Sequence, residues 1–238
     1  MALPKLNQGS NYRMTIPSTG VEVAYRPYLV KEEKQMMIAN ETGDQKEMMR
    51  VMAATINECV EDDINVNSLT TFDVEYMFTQ IRSRSVGETA TVSIECGAEG
   101  CNHKTEITVN LTEAKVDDSD VDMEVKLTDN ITLEMKWPSY HEVTHYYDGE
   151  DGNEVEFGFN MLSKCILAVA TEDERTLASD TSDKELEEFI ESMTSSQLEK
   201  LANVINNIPQ LGLECKWKCE ACGSPNEYKL RGLQDFFS

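Results

Sequence analysis

The chain has 238 residues, with 44 acidic and 21 basic side chains and a formal net charge of −23. That length can bury a sizeable core, and no apolar run approaches the roughly 20 residues of a membrane-spanning helix. A surface this negative repels phosphate backbones, and no basic stripe is visible, so nucleic acid is a poor partner and other proteins are better ones.

The N-terminal part reads as a β-hairpin, Tyr12 to Ile16 and Val21 to Tyr25, turning at Pro17-Ser18-Thr19-Gly20. Arg26-Pro27 ends it, because the residue before proline disfavours helix. Three helices are predicted next. The first runs from Val30 to Asn40. The second opens at Asp44, with Glu47 completing a capping box, and turns Met49, Met52, Ala53, Ile56 and Val60 to one face. The third spans Phe72 to Ser83, with Val74, Met77, Phe78 and Ile81 inward. Thr89 to Glu95 and Lys104 to Asn110 alternate polar and apolar residues as a second hairpin. The run Asp117-Asp118-Ser119-Asp120-Val121-Asp122 reads as a solvated linker; it lacks the glycine and glutamate spacing of a calcium loop.

Beyond the linker, Glu124 to Leu127 and Ile131 to Trp137 pair as strands around Asp129-Asn130. A short helix over Ser139 to Tyr147 and a polar loop over Asp148 to Asn153 follow. Val155, Phe159, Leu162, Ile166 and Val169 mark one long amphipathic helix. Ser182 with Glu185 caps a helix burying Leu186, Phe189, Ile190 and Met193. Ser196 with Glu199 caps another, which buries Leu198, Leu201, Ile205 and Ile208 and stops at Pro209. Leu211 to Trp217 and Asn226 to Leu230 form a last hairpin, and the apolar segment Leu233 to Phe237 is expected to fold back as core or to anchor a partner. Ala2 to Leu6 is a second apolar candidate for docking.

The tips of two hairpins carry cysteine pairs, Cys96 with Cys101 and Cys219 with Cys222. Four thiolates in a tetrahedron at about 2.3 Å are what a structural zinc ion requires. Paired zinc-binding cysteines usually lie about 15–20 residues apart, whereas more than a hundred residues separate these pairs, so the expected zinc site is discontinuous. Met1 to Asn7 holds no apolar core of signal-peptide length, which points to thiols rather than disulfides. His103 and Cys215 are spare ligand candidates; Cys59 and Cys165 fall on apolar helix faces and read as core.

His141-Glu142-Val143-Thr144-His145 matches the H-E-x-x-H pattern of zinc proteases, in which two imidazoles share a helix face and the glutamate activates water. A third ligand is needed, and Glu154, Glu156, Glu172 and Glu174 stand in no recognisable context. The expected reading is a surface helix with solvated histidines. No other catalytic set and no small-molecule pocket signature appears. A zinc metalloprotease using His141, Glu142 and His145, or a zinc-ribbon protein binding nucleic acid, are the alternatives to a non-enzymatic docking protein.

The expected fold class is α+β. Residues 1–85 hold the N-terminal hairpin and helices. Residues 86–111 and 211–238 form a discontinuous zinc-ribbon-like module of β-hairpins. Residues 112–210 hold a strand pair and an inserted helical block.

Several blocks carry a family likeness: Met1-Ala2-Leu3-Pro4-Lys5-Leu6, Ile16-Pro17-Ser18-Thr19-Gly20, Thr71-Phe72-Asp73-Val74-Glu75-Tyr76, Ile81-Arg82-Ser83-Arg84-Ser85-Val86-Gly87-Glu88, Lys136-Trp137-Pro138-Ser139 and Gly232-Leu233-Gln234-Asp235-Phe236-Phe237. The most specific is Arg26-Pro27-Tyr28-Leu29-Val30-Lys31-Glu32-Glu33-Lys34. Through these the chain resembles the baseplate hub and baseplate-assembly proteins of T-even-like contractile-tailed bacteriophages, and its cysteine knuckles look like those of some members. The resemblance implies a structural or assembly role without known chemistry. It implies partners among other hub, wedge or tape-measure proteins, and a place in the host cytoplasm during assembly and in the virion tail baseplate if the protein is retained.

Overall fold

In the computed structural model, which describes residues 12–117, 120–146 and 154–237, the chain is mixed α and β and divides into two compact units. The first is built from the chain up to Asp117 and from Gln210 onward; the second is the inserted stretch between them. Ala2 to Leu6 and the loop at 148–153 lie outside the described residues.

In the first unit, β1 (Tyr12–Thr15) and β2 (Glu22–Tyr25) pair antiparallel, and three helices follow: α1 (Val30–Thr42), α2 (Gln45–Cys59) and α3 (Thr71–Ser85). Asp44 caps α2 by accepting from the backbone N–H groups of Lys46 and Glu47, but Glu47 does not complete the expected box; it pairs with Arg50 instead. The third helix starts one residue earlier than expected, at Thr71, because Thr70 and Asp73 form a reciprocal capping box.

Two buried carboxylates fix how these elements join. Asp73 is fully buried and also accepts from the backbone and hydroxyl of Ser18 at 2.9 and 2.6 Å, so the hairpin turn is tied to the start of α3. Glu32 is buried in α1 and accepts from the Arg26 guanidinium and the Leu29 backbone N–H, both at 2.8 Å. Arg26 in turn donates to the carbonyls of Pro27 and Glu58. Burial by itself raises the Glu32 carboxyl, but the hydrogen bonds from Arg26, Leu29 and Lys31 hold it below the usual carboxylate range.

The two cysteine-bearing hairpins complete this unit. One joins β3 (Thr89–Glu95) to β4 (Lys104–Asn110). After a two-residue strand, β5 (Lys115–Val116), the chain leaves for the second unit. The unit's last hairpin joins the eight-residue strand Leu211–Lys218 to Pro225–Arg231, and a short helix over Gly232–Phe237 ends the described chain. Val92, Ile94, Val109, Leu111, Leu211, Leu213, Cys215, Leu230 and Phe236 form one core between the hairpins. Phe236 is 1% exposed, which decides in favour of the core reading of the C-terminal aromatic. The side chain of Phe237 lies outside the described residues.

The neck of the insertion is closed at one point. Leu211 pairs with Val116, Gly212 with Lys115, and the Asp117 N–H donates to the Gln210 carbonyl. Lys229 crosses over Gly212 to pair with both carboxylate oxygens of Asp117; a Cβ at Gly212 would lie 2.7 Å from its Cε. The start of the acidic run is therefore a paired edge, not wholly a solvated linker.

The second unit is a four-stranded antiparallel sheet, β6 (Glu124–Lys126), β7 (Ile131–Met135), β8 (Ile166–Thr171) and β9 (Arg175–Leu177), in that spatial order. With it come α4 (Tyr140–Tyr146), α5 (Glu154–Lys164), α6 (Asp183–Glu191) and α7 (Ser195–Asn206). Returning to the first unit, Leu211–Lys218 and Pro225–Arg231 are β10 and β11, and Gly232–Phe237 is α8. The expected long helix through Val169 is corrected: it ends at Lys164, and Ile166 and Val169 belong to β8. Their spacing of three fits a helix face and not one face of a strand, but Ile166-Leu167-Ala168-Val169-Ala170 is apolar throughout, and its backbone pairs with β7 on one side and β9 on the other. The cap on α7 is also corrected, from Ser196 and Glu199 to Thr194 and Gln197. Val125, Leu133, Met135, Leu162, Cys165, Ile166, Leu186, Ile190, Leu201 and Val204 form this unit's core.

Glu32→Gln leaves Arg26 half-buried without its counter-ion, and denaturant unfolding is expected to show a loss of about 3 kcal/mol, as for other broken buried pairs. A loss below about 0.5 kcal/mol would mean the pair is no better than a surface contact. Glu75 gives a pH signature of opposite sign. It lies in α3 against the start of α8, where burial pushes its carboxyl up to about 7 although the Leu233 backbone N–H donates to it. A raised folded-state value adds stability that is present below the unfolded-state value and is lost as pH rises through about 7. Glu75→Gln keeps an acceptor for Leu233 and should remove this loss. Discounted for partial exposure, the variant should be more stable than the parent at pH 8 by on the order of 1–2 kcal/mol, with the difference vanishing near pH 4 in melts across pH.

Candidate metal centre

Each cysteine pair sits on a tight knuckle whose backbone is closed on itself. In the first, the Cys96 N–H donates to the His103 carbonyl and the Cys101 N–H to that of Ala98. In the second, the Cys219 N–H donates to the Ser224 carbonyl and the Gly223 N–H to that of Cys219. Gly100 and Gly223 take left-handed conformations beside Cys101 and Cys222, which side chains with a Cβ rarely adopt.

The shared core between the hairpins aligns the tips, and the four thiols gather. The sulfurs of Cys96, Cys101, Cys219 and Cys222 all lie within 4.8 Å of one another, within metal-binding distance. Cys96 Sγ is 3.7 Å from Cys222 Sγ, and Cys101 Sγ is 3.9 Å from Cys219 Sγ. These are far beyond the roughly 2.05 Å of a disulfide. They match the edge of about 3.8 Å expected for four sulfurs set tetrahedrally around an ion at about 2.3 Å. Cys96 and Cys219 are buried, Cys101 is half-buried and Cys222 is exposed.

Asn226 bridges the two knuckles, and sequence reasoning missed it because a polar residue at a strand start carries no signal of its own. Its Oδ1 accepts from the Gly97 backbone N–H at 2.9 Å, while its Nδ2 donates to Cys96 Sγ at 3.5 Å and to the Ser224 carbonyl at 3.0 Å. The Ala98 N–H also donates to Cys96 Sγ. Donors aimed at a sulfur favour its thiolate form.

Four thiols this close cannot all ionise without a cation between them. Their proton affinities split accordingly. Hydrogen bonding from Ser224 holds the Cys222 thiol down to about 6. The Cys101 thiol is lowered by the His103 backbone, but its contacts with Cys222, Cys219 and Cys96 and its burial outweigh this and push it up to about 12. Donors that are all sulfur and a coordination shell that is complete from protein side chains suit a structural ion rather than a catalytic one.

The remaining cysteines do not join the cluster. Cys215 lies in the core between the hairpins, and the imidazole of His103 is exposed; only its carbonyl serves the knuckle. Burial pushes the Cys59 thiol up to about 11 and that of Cys165 to about 12, as expected for inert core residues.

His141 and His145 stack on one face of α4 with ring centroids 6.0 Å apart. Glu142 has a different task from the one the protease pattern assigns. Its carboxylate accepts from the Ser139 N–H at 2.7 Å and from Lys136 Nζ at 2.9 Å, while the Ser139 hydroxyl accepts from the Glu142 N–H. Ser139 and Glu142 are thus a capping box for α4. Burial raises this carboxyl, and the bonds from Lys136 and Ser139 more than offset that, leaving it below the usual range. Among the described residues, the four cysteines are the group of three or more ligand side chains that converge as a metal set, and neither histidine belongs to it. The side chains of Glu154 and Glu156 lie outside the described residues.

Comparison with known proteins gives a consistent family. A family model described as T4 bacteriophage base plate protein matches residues 10–238. The chain is 22% identical to the baseplate hub assembly protein gp26 of Enterobacteria phage T4 over 215 residues, which is 89% of this chain and 90% of that protein. No solved structure matches. The chain belongs to the T4 base plate protein family.

Proposed function

We propose that this member of the base plate protein family is a non-enzymatic structural or assembly component of a phage baseplate hub. It works by docking to other hub, wedge or tape-measure proteins, and it carries one structural zinc ion on Cys96, Cys101, Cys219 and Cys222. The observation that carries the hub reading is the likeness to a hub assembly protein across about nine-tenths of both chains. The acidic surface supports docking to proteins rather than to nucleic acid. No helix among the described residues is long and apolar enough to cross a membrane. The setting would be the host cytoplasm during assembly, then the tail baseplate if the protein stays. Mass spectrometry of tails and of tail intermediates from infected cells tests this. The chain is expected in at least one of the two, and absence from both would sink the reading.

The all-sulfur donor set and the tetrahedral sulfur spacing support zinc. Elemental analysis should find one zinc per chain, and Cys96→Ser and Cys219→Ser should each remove it. Retention of the metal by either variant would break the single shared site. The hairpins already share an apolar core, so chelation should loosen the tips and leave the helices formed. In hydrogen exchange, amides of 89–110 and 211–231 should speed up while those of α2 and α3 stay protected.

The use of Glu142 as a helix cap weakens the protease alternative. His141→Ala with His145→Ala should leave zinc content unchanged and shift stability by no more than about 0.5 kcal/mol. Loss of a zinc ion in that variant would restore the alternative.

A further inference from the structure

Helix α1 is built inside out. Of its thirteen residues only Glu32 and Ala39 are buried. Three of the eight large hydrophobic side chains exposed among the described residues lie on it: Val30, Met37 and Ile38. Their exposures are 77%, 62% and 53%. Helical geometry explains why this is one surface. Lys34, Met37, Ile38 and Glu41 stand at i, i+3, i+4 and i+7, so they form a single patch directly opposite Glu32 and Ala39, with Val30 one turn beyond. A helix held to its own unit by a buried ion pair and an alanine, with its apolar side outward, leaves that side without a covering element among the described residues.

The order of residues within the patch selects the occupant. The apolar pair Met37 and Ile38 is central, with a cation, Lys34, at one end and an anion, Glu41, at the other. Both charged residues are exposed, and neither takes part in an ion pair among the described residues. A two-fold axis between Met37 and Ile38 brings the same patch of another copy antiparallel. Lys34 then faces Glu41 of the second copy, the reverse pair forms with it, and the apolar residues meet at the centre. An isologous contact requires this kind of self-complementarity.

We propose that α1 is a two-fold contact between copies of this chain, closed by Met37 and Ile38 and by two reciprocal pairs of Lys34 with Glu41. One helix face buries less than the roughly 800 Å² per partner of a standard interface, so the association is weak and is reached at high local concentration. The net charge of −23 on each copy opposes it, and salt shortens the reach of that repulsion. Association therefore tightens as salt is added, the reverse of a contact held by surface ion pairs alone.

Sedimentation equilibrium of the full chain, with zinc and a reductant present and at low and high salt, tests the contact. The parent is expected to dimerise at high protein concentration, more strongly in high salt. Met37→Glu with Ile38→Glu should abolish the dimer without lowering the melting temperature. Lys34→Glu sets like charges opposite each other and should weaken it roughly tenfold, and adding Glu41→Lys should restore parental affinity. A parent that stays monomeric at every concentration overturns the proposal. If the Met37, Ile38 variant then fails to support baseplate assembly in infected cells, another baseplate protein covers the face instead. A dimer that survives the Met37, Ile38 change, or a charge swap that rescues nothing, also overturns it.

Discussion

The first unit depends on the chain returning to the place it left. More than ninety residues separate Asp117 from Gln210, yet the two meet in a backbone hydrogen bond. Without that closure, β10 has no fixed register against β5, and the last hairpin has only the apolar core to bring it to β3 and β4. Loop-closure entropy grows only slowly with length, so an insertion of this size costs little more than a short loop once its ends are pinned. The pin is a two-residue ladder and one cross-strand pair, Lys229 with Asp117, whose lysine passes close over Gly212. Convergence of four cysteines from two distant segments follows from the closure; the thiols do not create it.

The family-like sequence blocks of this unit carry buried polar contacts beside apolar core residues such as Ile16, Val74, Ile81 and Phe236. Arg26, Leu29 and Glu32 form one network, and Ser18, Thr70 and Asp73 form another. The Ser85 hydroxyl accepts from the Tyr28 N–H, joining the end of α3 to the approach of α1. Apolar positions tolerate exchange of one hydrophobe for another of similar volume. A buried carboxylate does not, because removing any donor leaves charge without compensation.

The hairpins were legible from the sequence because period-two alternation ran into short thiol-bearing tips with turn residues. The ends of β3 and β4 fall where the pattern put them. The gathering of Cys96, Cys101, Cys219 and Cys222 followed from the matched tips. What sequence could not resolve was a short apolar run that suits either a helix or a buried strand. Ile166 and Val169 continue the helical spacing of Leu162, yet they also sit in the continuous apolar run Ile166 to Ala170; only the neighbouring strands that need a partner separate the two. The caps failed for a related reason. Ser196-x-x-Glu199 and Thr194-x-x-Gln197 are both valid boxes two residues apart, and which one closes depends on where the chain enters α7. Asn226 and the Lys229–Asp117 pair had no local signature at all, since both join segments far apart in the chain.

The H-E-x-x-H stretch and the C-terminal aromatics show how packing reassigns residues that look functional in isolation. Glu142 is spent on the first turn of its own helix, and Phe236 fills the core between the hairpins. A similar argument sets the weight of the thiol cluster in the first unit. Ten buried side chains besides the ligands already hold the hairpins together, including Leu111 and Leu211 with no exposed surface. An ion at the tips would therefore fix the knuckles and neutralise thiolates that otherwise crowd one another, while the sheet and helices stand on their own core. On this physics, a relative lacking the knuckle cysteines can keep the same unit, provided that its neck and its two buried carboxylates are kept.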